Sequence, residues 1–280
     1  MKLDGILLIH KEAGMTSHDV VFKCRKLLQT KKVGHCGTLD PDATGVLVLC
    51  VGKATKAIQF LTCDKKEYIA TLSLGKFTDT YDASGSVLEE KEFDGVTNVK
   101  EVLNSFLGKQ KQMPPIYSAI KVNGKKLYEY ARNNEEVKIE PRDVEILEIE
   151  LLSQKDNEIT FRVLCSKGTY IRSLCVDIAK KFGYPGHMSK LIRSQSGKFH
   201  LDNCVTLQDI ENNHFKILSL EEAFDGYEKY VIEDENIVYH GKLIKSDIDH
   251  SVVVVNKDNK ILAVYGPGGN GYLKNIRGLF

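Results

Sequence analysis

Residues 34 to 45 read GHCGTLDPDATG, with Asp40 at the centre of a stretch rich in glycine and turn-forming residues. A carboxylate placed before a proline, in a glycine-rich loop between two apolar runs, has the chemistry of a catalytic acid or nucleophile. Asp-Pro beside glycines is equally ordinary turn chemistry, and the residues alone leave both readings open. A phosphate cradle is a third, but the pattern GxxxxGK followed by Ser or Thr is absent. A second stretch, KGTYIRSL, puts Tyr170 and Arg172 at an expected strand-to-helix junction. A guanidinium fork there can pair with a carboxylate or a phosphate, or form an ordinary surface ion pair. A third, PPIYSAIKVNGKKLYEYAR, interleaves Lys121, Lys125, Lys126 and Arg132 with Tyr117, Tyr128 and Tyr130. Cations neutralise phosphates and aromatic rings stack on bases, so the mixture suits RNA; it also suits an amphipathic helix with a charged side. Tyr68 sits in an alternating run and can serve as a core residue or a functional ring.

The elements that must position these residues follow from periodicity. DGILLIH reads as a buried strand. TSHDVVFKCRKLLQ reads as a helix, with Val20, Val21, Cys24, Leu27 and Leu28 at helical spacing behind a Thr/Ser cap. VLVLCVG is a strand and KATKAIQFL a short helix. EYIATLSLG alternates, with Tyr68, Ala70, Leu72 and Leu74 on one face and Ile69, Thr71 and Ser73 on the other. VKEVLNSFLG is helical, Pro114 and Pro115 break QMPPIYSAIKVNG, and KKLYEYARNN returns to helix. VEILEIELLS and EITFRVLCS form a strand pair, and YIRSLCVDIAKKFG is a helix ending at Gly183. Strands and helices interleave without strict βαβ order, which predicts an α/β or α+β architecture around a mixed sheet. An acidic segment around residues 209 to 235 marks a boundary, and SVVVVNKDNKILAVYGP beyond it reads as two strands across a turn in a small β-rich module.

The 280 residues, 42% hydrophobic and 28% charged, can bury a full core without staples. Net charge is only +1, but its distribution is uneven. Residues 161 to 200 carry eight Lys or Arg against one acid, and residues 201 to 240 carry two Lys against ten acids. This fits a polyanion-binding face beside a region that avoids polyanions, or simply two solvated faces. The seven cysteines (24, 36, 50, 63, 165, 175 and 204) form no CxxC pair, which argues against a disulfide framework or a zinc site. No stretch reads as a signal peptide or membrane span, and a reducing cytoplasm is the expected setting.

Taken together, the stretches resemble the TruB family of tRNA pseudouridine synthases. GHCGTLDPDATGVLVLCVGKATK resembles the family signature, and GMTSHDVV, KEYIATLSLG, PPIYSAIKVNGKKLYEYAR, KGTYIRSLCVDI and MSKLIRSQSGKF follow the family's order. The resemblance covers roughly residues 1 to 210. It implies a mixed, largely antiparallel sheet core of the pseudouridine synthase type over residues 1 to 210. It implies a small C-terminal PUA-like RNA-binding module with its linker over residues 211 to 280. It implies isomerisation of uridine 55 in the T-loop of tRNA, with no cofactor and no metal. Asp40 is then the catalytic carboxylate. Tyr68 resembles the tyrosine that stacks on the flipped uracil and moves a proton, and Arg172 the arginine that orients the aspartate. Tyr170 and Leu191 look like walls of the uracil pocket. His35 looks like the residue that fills the space left by the flipped nucleotides. Lys11 and Gly37 fall among the substrate-binding positions, Gly37 because a glycine lets the RNA backbone approach closely. The implied partner is tRNA, through its T arm and, by way of the C-terminal module, its acceptor stem, bound by a monomer. Two rivals stay open at this level: a tRNA-folding chaperone, and a guide-RNA-dependent synthase acting on another RNA. The chain departs from the family at Glu12, where HKEAGMTS stands in place of a motif with proline, which bears on the rigidity of that loop.

Overall fold

The computed structural model describes residues 3 to 62 and 65 to 280; Cys63 lies outside them. The chain divides into two compact units. The first comprises Met1–Pro41, Val46–Thr62 and Asp202–Phe280, and the second comprises Asp42–Gly45 and Cys63–Leu201. Among the described residues, no helix is long and apolar enough to cross a membrane.

In the first unit the apolar run at the N-terminus forms the strand Gly5–Lys11, whose Ile6, Leu7 and Ile9 are fully buried. The Thr16 side chain accepts from the Asp19 N–H and the Asp19 carboxylate accepts from the Thr16 N–H, a capping box that starts the helix Ser17–Leu27. Such a cap contributes about 1 kcal/mol. Val20, Val21 and Cys24 turn inward, as the spacing predicts, whereas Leu27 is exposed. The short strand Val33–His35 runs antiparallel to Leu49–Val51 of the strand Thr44–Val51. KATKAIQFL supplies a 3₁₀ turn over Gly52–Ala57 rather than the expected α-helix. The C-terminal part builds a five-stranded sheet in the order Lys229–Val231, Val252–Val255, Ile261–Gly269, Tyr272–Gly278, Ile244–Lys245. The two strands expected from the sequence are its second and third members, paired antiparallel. Val252, Val254, Leu262, Tyr265 and Leu273 form its core.

The second unit is built on a sheet in the order Gly186–Ser196, Lys65–Leu74, Glu158–Ser166, Arg142–Lys155, Gly108–Gln112. All neighbours along it are antiparallel. Thr44 and Gly45 add a parallel pairing to Ile192 and Arg193, which makes the sheet mixed. The hairpin Arg142–Lys155/Glu158–Ser166 matches the expected strand pair, with Ile159, Phe161, Val163 and Cys165 all buried. The helix Ile171–Lys181 packs on the strand Gly186–Ser196. The helix expected over VKEVLNSFLG spans only Val99–Asn104, and Gly108 already begins an edge strand. QMPPIYSAIKVNG is irregular around its prolines, but ends in a two-residue ladder, Lys121–Val122 with Lys125–Lys126. Asn123 and Gly124, both at positive φ, turn that ladder.

Gly45 has a φ of 110° and backs onto Arg193. A Cβ there would fall 2.7 Å from the Arg193 backbone nitrogen and closer still to its carbonyl oxygen. Gly45→Ala is therefore expected to destabilise the fold by about 2–5 kcal/mol, combining an unfavourable φ with overpacking against rigid backbone. A lowered urea midpoint at unchanged slope is the expected reading. A wild-type midpoint would mean that the pairing of Thr44–Gly45 with Ile192–Arg193 is not held in solution.

Candidate active site

Asp40 lies in an irregular loop and is half-buried. Both of its neighbours are anchored. On one side, the Ser17 hydroxyl accepts from the Leu39 N–H at 2.8 Å and donates to the Leu39 carbonyl at 3.1 Å. On the other, the Lys11 ammonium donates to the Pro41 carbonyl at 2.7 Å. Lys11 is fully buried, and its ammonium also donates to the Glu12 and Met15 carbonyls at 2.9 and 2.7 Å. A buried ammonium is costly unless its three protons find acceptors, and three carbonyls here supply them. The Glu12 main chain is one of those acceptors, which ties this loop to Lys11. Further back, the Cys36 N–H donates to the Val48 carbonyl at 2.9 Å, and His35 closes the short strand opposite Leu49. Gly37 lies between these two anchored regions, half-buried in the loop.

Cys36 and Cys50 bring their sulfurs to 3.4 Å inside this unit. The contact with Cys36, together with burial, pushes the Cys50 thiol far up; burial alone pushes Cys24 up to about 12. All three are free, buried thiols.

In the second unit, Tyr68 lies on the strand Lys65–Leu74, only 8% exposed, between Val163 on one side and Arg193 on the other. Leu191, 7% exposed, pairs with Ala70 two positions along. Directly paired residues share a face of a sheet, so Tyr68, Ala70, Leu191 and Arg193 lie on one side. The sequence thus identifies two residues, Tyr68 and Leu191, that the register brings to the same face. Arg193, 1% exposed, is a buried charge there that sequence reasoning missed.

Tyr170 and Arg172 stand at the start of the helix Ile171–Lys181, where Tyr170 is the N-cap. Arg172 is 5% exposed. Its guanidinium donates to the Thr80 carbonyl at 2.9 Å and to the Tyr117 carbonyl at 3.0 Å, and lies 3.5 Å from the Asp82 carboxylate. Asp82 is itself fixed: it accepts from the Thr80 hydroxyl at 2.7 Å, the Ser84 N–H at 3.0 Å and the Ser84 hydroxyl at 2.6 Å. Its signal in the sequence is TYDAS, an acid flanked two residues away by hydroxyls, which is the pattern of a self-capping turn. The preceding Tyr81 has a φ of 66°. Burial, and then the charge of Asp177, push its hydroxyl pKa up. Asp177 is likewise raised by burial.

The basic and aromatic residues of the third stretch meet one another. The Tyr128 ring carries Lys126 at 5.3 Å and Arg132 at 5.2 Å, and the Tyr130 ring carries Lys125 at 4.6 Å. Each ring thus has its own cations packed against it.

Residues 25–171 match the model of the TruB family pseudouridylate synthase N-terminal domain. Residues 172–227 match that of the tRNA pseudouridylate synthase B C-terminal domain. Among solved structures, a chain of a Cbf5–Nop10–Gar1 complex shares the fold with a TM-score of 0.75 at 24% identity, covering 99% of this chain and 85% of that one. A chain of an archaeal box H/ACA sRNP Nop10–Cbf5 complex does so at 0.74 and 22%, covering 100% and 87%. The mixed sheet is that of a pseudouridine synthase. The chain belongs to the TruB family of these enzymes. The tRNA pseudouridine synthase B of Bacillus cereus (strain ATCC 10987 / NRS 248) is 43% identical over 297 residues, spanning 98% of this chain and 97% of that protein. The tRNA pseudouridine synthase B of Oceanobacillus iheyensis is 54% identical over 214 residues, spanning 75% and 71%.

Proposed function

We propose that the chain isomerises uridine to pseudouridine at position 55 in the T-loop of tRNA, acting on a uridine turned out of the RNA stack. In this reaction the N1–C1′ bond breaks, the base turns, and a C5–C1′ bond forms. The C5 proton is released and N1 takes one up, so the conversion balances without a redox partner, a group donor or a cofactor. Asp40 is the attacking carboxylate, on the sugar carbon or on the base ring. Arg172 orients it. Tyr68 stacks on the uracil and carries a proton, while Tyr170 and Leu191 wall the pocket. His35 fills the space the flipped nucleotides leave, Gly37 admits the RNA backbone, and Lys11 secures the loop on which the substrate rests. Residues 1 to 210 form the catalytic domain. Residues 211 to 280 form the PUA-like module, which meets the acceptor stem. The enzyme works as a monomer in the cytoplasm.

What carries this reading is the anchoring of Asp40 on both sides. A loop that needs only to turn gains nothing from having its carboxylate's two neighbours each fixed by a buried side chain. A reacting group must be held in position. The relatives aligned over almost the whole chain, named tRNA pseudouridine synthase B, supply the substrate class.

The test is incubation of the purified chain with an unmodified tRNA transcript, without guide RNA or protein partners, followed by mapping of pseudouridine. One modified position, in the T-loop, is expected. An isolated T-arm stem-loop is expected to react as well, because the local fold displays the target base. Turnover only in the presence of a guide RNA would mean a guided enzyme. Turnover only with full-length tRNA would mean that the acceptor stem dominates recognition.

A further inference from the structure

The start of the helix that carries Tyr170 and Arg172 is gripped by one short segment, residues 112 to 117. Gln112 ends the edge strand Gly108–Gln112 and is 4% exposed. Its side-chain amide accepts from the Tyr170 N–H at 2.8 Å and donates to the Tyr170 carbonyl at 3.1 Å. Tyr170 is in extended conformation, so the amide closes on both of its backbone groups as a neighbouring strand would. The same carbonyl accepts from the Leu174 N–H at 3.0 Å. One residue further, the Met113 carbonyl accepts from the Ser173 hydroxyl at 2.7 Å. Beyond the two prolines, the Tyr117 carbonyl accepts from Arg172 at 3.0 Å.

Tyr170 supplies no side-chain cap, and the helix N-terminus could have been closed by a serine or an aspartate at that position. The segment instead fixes three residues of the functional helix start, at Tyr170, Arg172 and Ser173. A primary amide suits the central contact because it carries a donor and an acceptor side by side. We infer that Gln112 is a positioning residue of the catalytic site, which through the Tyr170 backbone sets the placement of both the Tyr170 ring and the Arg172 guanidinium. The inference rests on the proposed roles of Tyr170 and Arg172. It gives the QMPPIY stretch a purpose distinct from RNA contact.

The test compares single-turnover isomerisation of C5-tritiated tRNA transcript, tRNA affinity and thermal melting in wild type, Gln112→Ala, Gln112→Glu and Arg172→Lys. For Gln112→Ala the rate constant is expected to fall at least tenfold, with tRNA affinity within about threefold, since affinity comes mostly from phosphate contacts. Gln112→Glu is the sharper variant. As a carboxylate it still accepts from the Tyr170 N–H, but its second oxygen faces the Tyr170 carbonyl. As a neutral acid it regains a donor, and burial beside a carbonyl favours that form. Its rate relative to wild type is therefore expected to rise at least fivefold from pH 8.5 to pH 6. A purely structural role would not confine the effect to the rate constant or give it this pH dependence.

A wild-type rate in Gln112→Ala overturns the inference. So does a loss of rate matched by equal losses of affinity and melting temperature. If Gln112→Ala does not fold, Gln112→Glu decides alone, and a rate ratio independent of pH overturns the inference. Arg172→Lys separates the two levels of the argument. Wild-type turnover in that variant means that the site reading fails and takes this inference with it. A slow Arg172→Lys beside a fast Gln112→Ala means that the site reading stands and the positioning role is wrong.

Discussion

Asp40→Asn is expected to reduce tritium release from C5-labelled uridine in tRNA to background. Asparagine keeps the size and polarity of the side chain and forms turns as readily as aspartate, so a turn-forming residue would tolerate the change. It cannot attack an electron-poor carbon as a carboxylate does. The loop should keep its course, because the Leu39 backbone is held by Ser17 and the Pro41 carbonyl by Lys11. The melting temperature is expected to stay within a few degrees of wild type, and tRNA binding to persist through phosphate contacts. The exposed neighbour Asp42 is the internal control: Asp42→Asn should turn over normally. Appreciable turnover in Asp40→Asn removes the nucleophile assignment.

The second large effect separates the Tyr68 ring from its hydroxyl. Tyr68 is buried on the face shared with Leu191 and Arg193, so a purely packing role is the outcome to exclude. Stacking needs only the ring and is worth about 1–3 kcal/mol per base. Proton transfer needs the phenol oxygen and is worth about 10²–10⁴-fold in rate. Tyr68→Phe keeps the ring and loses the oxygen; Tyr68→Leu loses both. Tyr68→Phe is expected to lose at least about a hundredfold in single-turnover rate with tRNA affinity nearly intact, and Tyr68→Leu at least as much. A wild-type rate in Phe with a slow Leu would mean that the ring matters and the hydroxyl does not. Normal rates with early melting in both would return Tyr68 to the core.

The parts of the fold that the sequence displays are those with an unbroken period. Strand Lys65–Leu74 alternates as expected, apart from Thr71, which is buried opposite Thr160 and shares a hydroxyl contact with it at 3.0 Å. The Thr16 cap and the inward Val20, Val21 and Cys24 were equally readable. The strand Gly186–Ser196 gave no such signal, although it pairs with Lys65–Leu74 along most of its length. Register shifts between Met188 and Lys190 and between Arg193 and Gln195 break its alternation twice. The edge strand Gly108–Gln112, spelled GKQKQ, has no apolar face to show. At the candidate site, residue types raised Asp40, Tyr68, Tyr170 and Arg172 with a plainer reading open for each, and Leu191 came only from the family pattern. Gln112 and Asp82 stayed hidden, because their roles arise from contacts across 58 and 90 positions of chain.

Arg172 and Lys11 have one feature in common: acceptors that are main-chain carbonyls, from Thr80 and Tyr117 for the arginine and from Glu12, Met15 and Pro41 for the lysine. A carbonyl is the same whatever side chain its residue bears. What these two cations read is therefore the course of the loops around them, and the constraint on those loops falls on length more than on spelling. Tyr117 and Met15 can vary in identity while the oxygens stay where they are. A single residue inserted between Lys11 and Met15, or inserted or deleted between Pro115 and Tyr117, would carry an acceptor out of reach while leaving every named side chain in place.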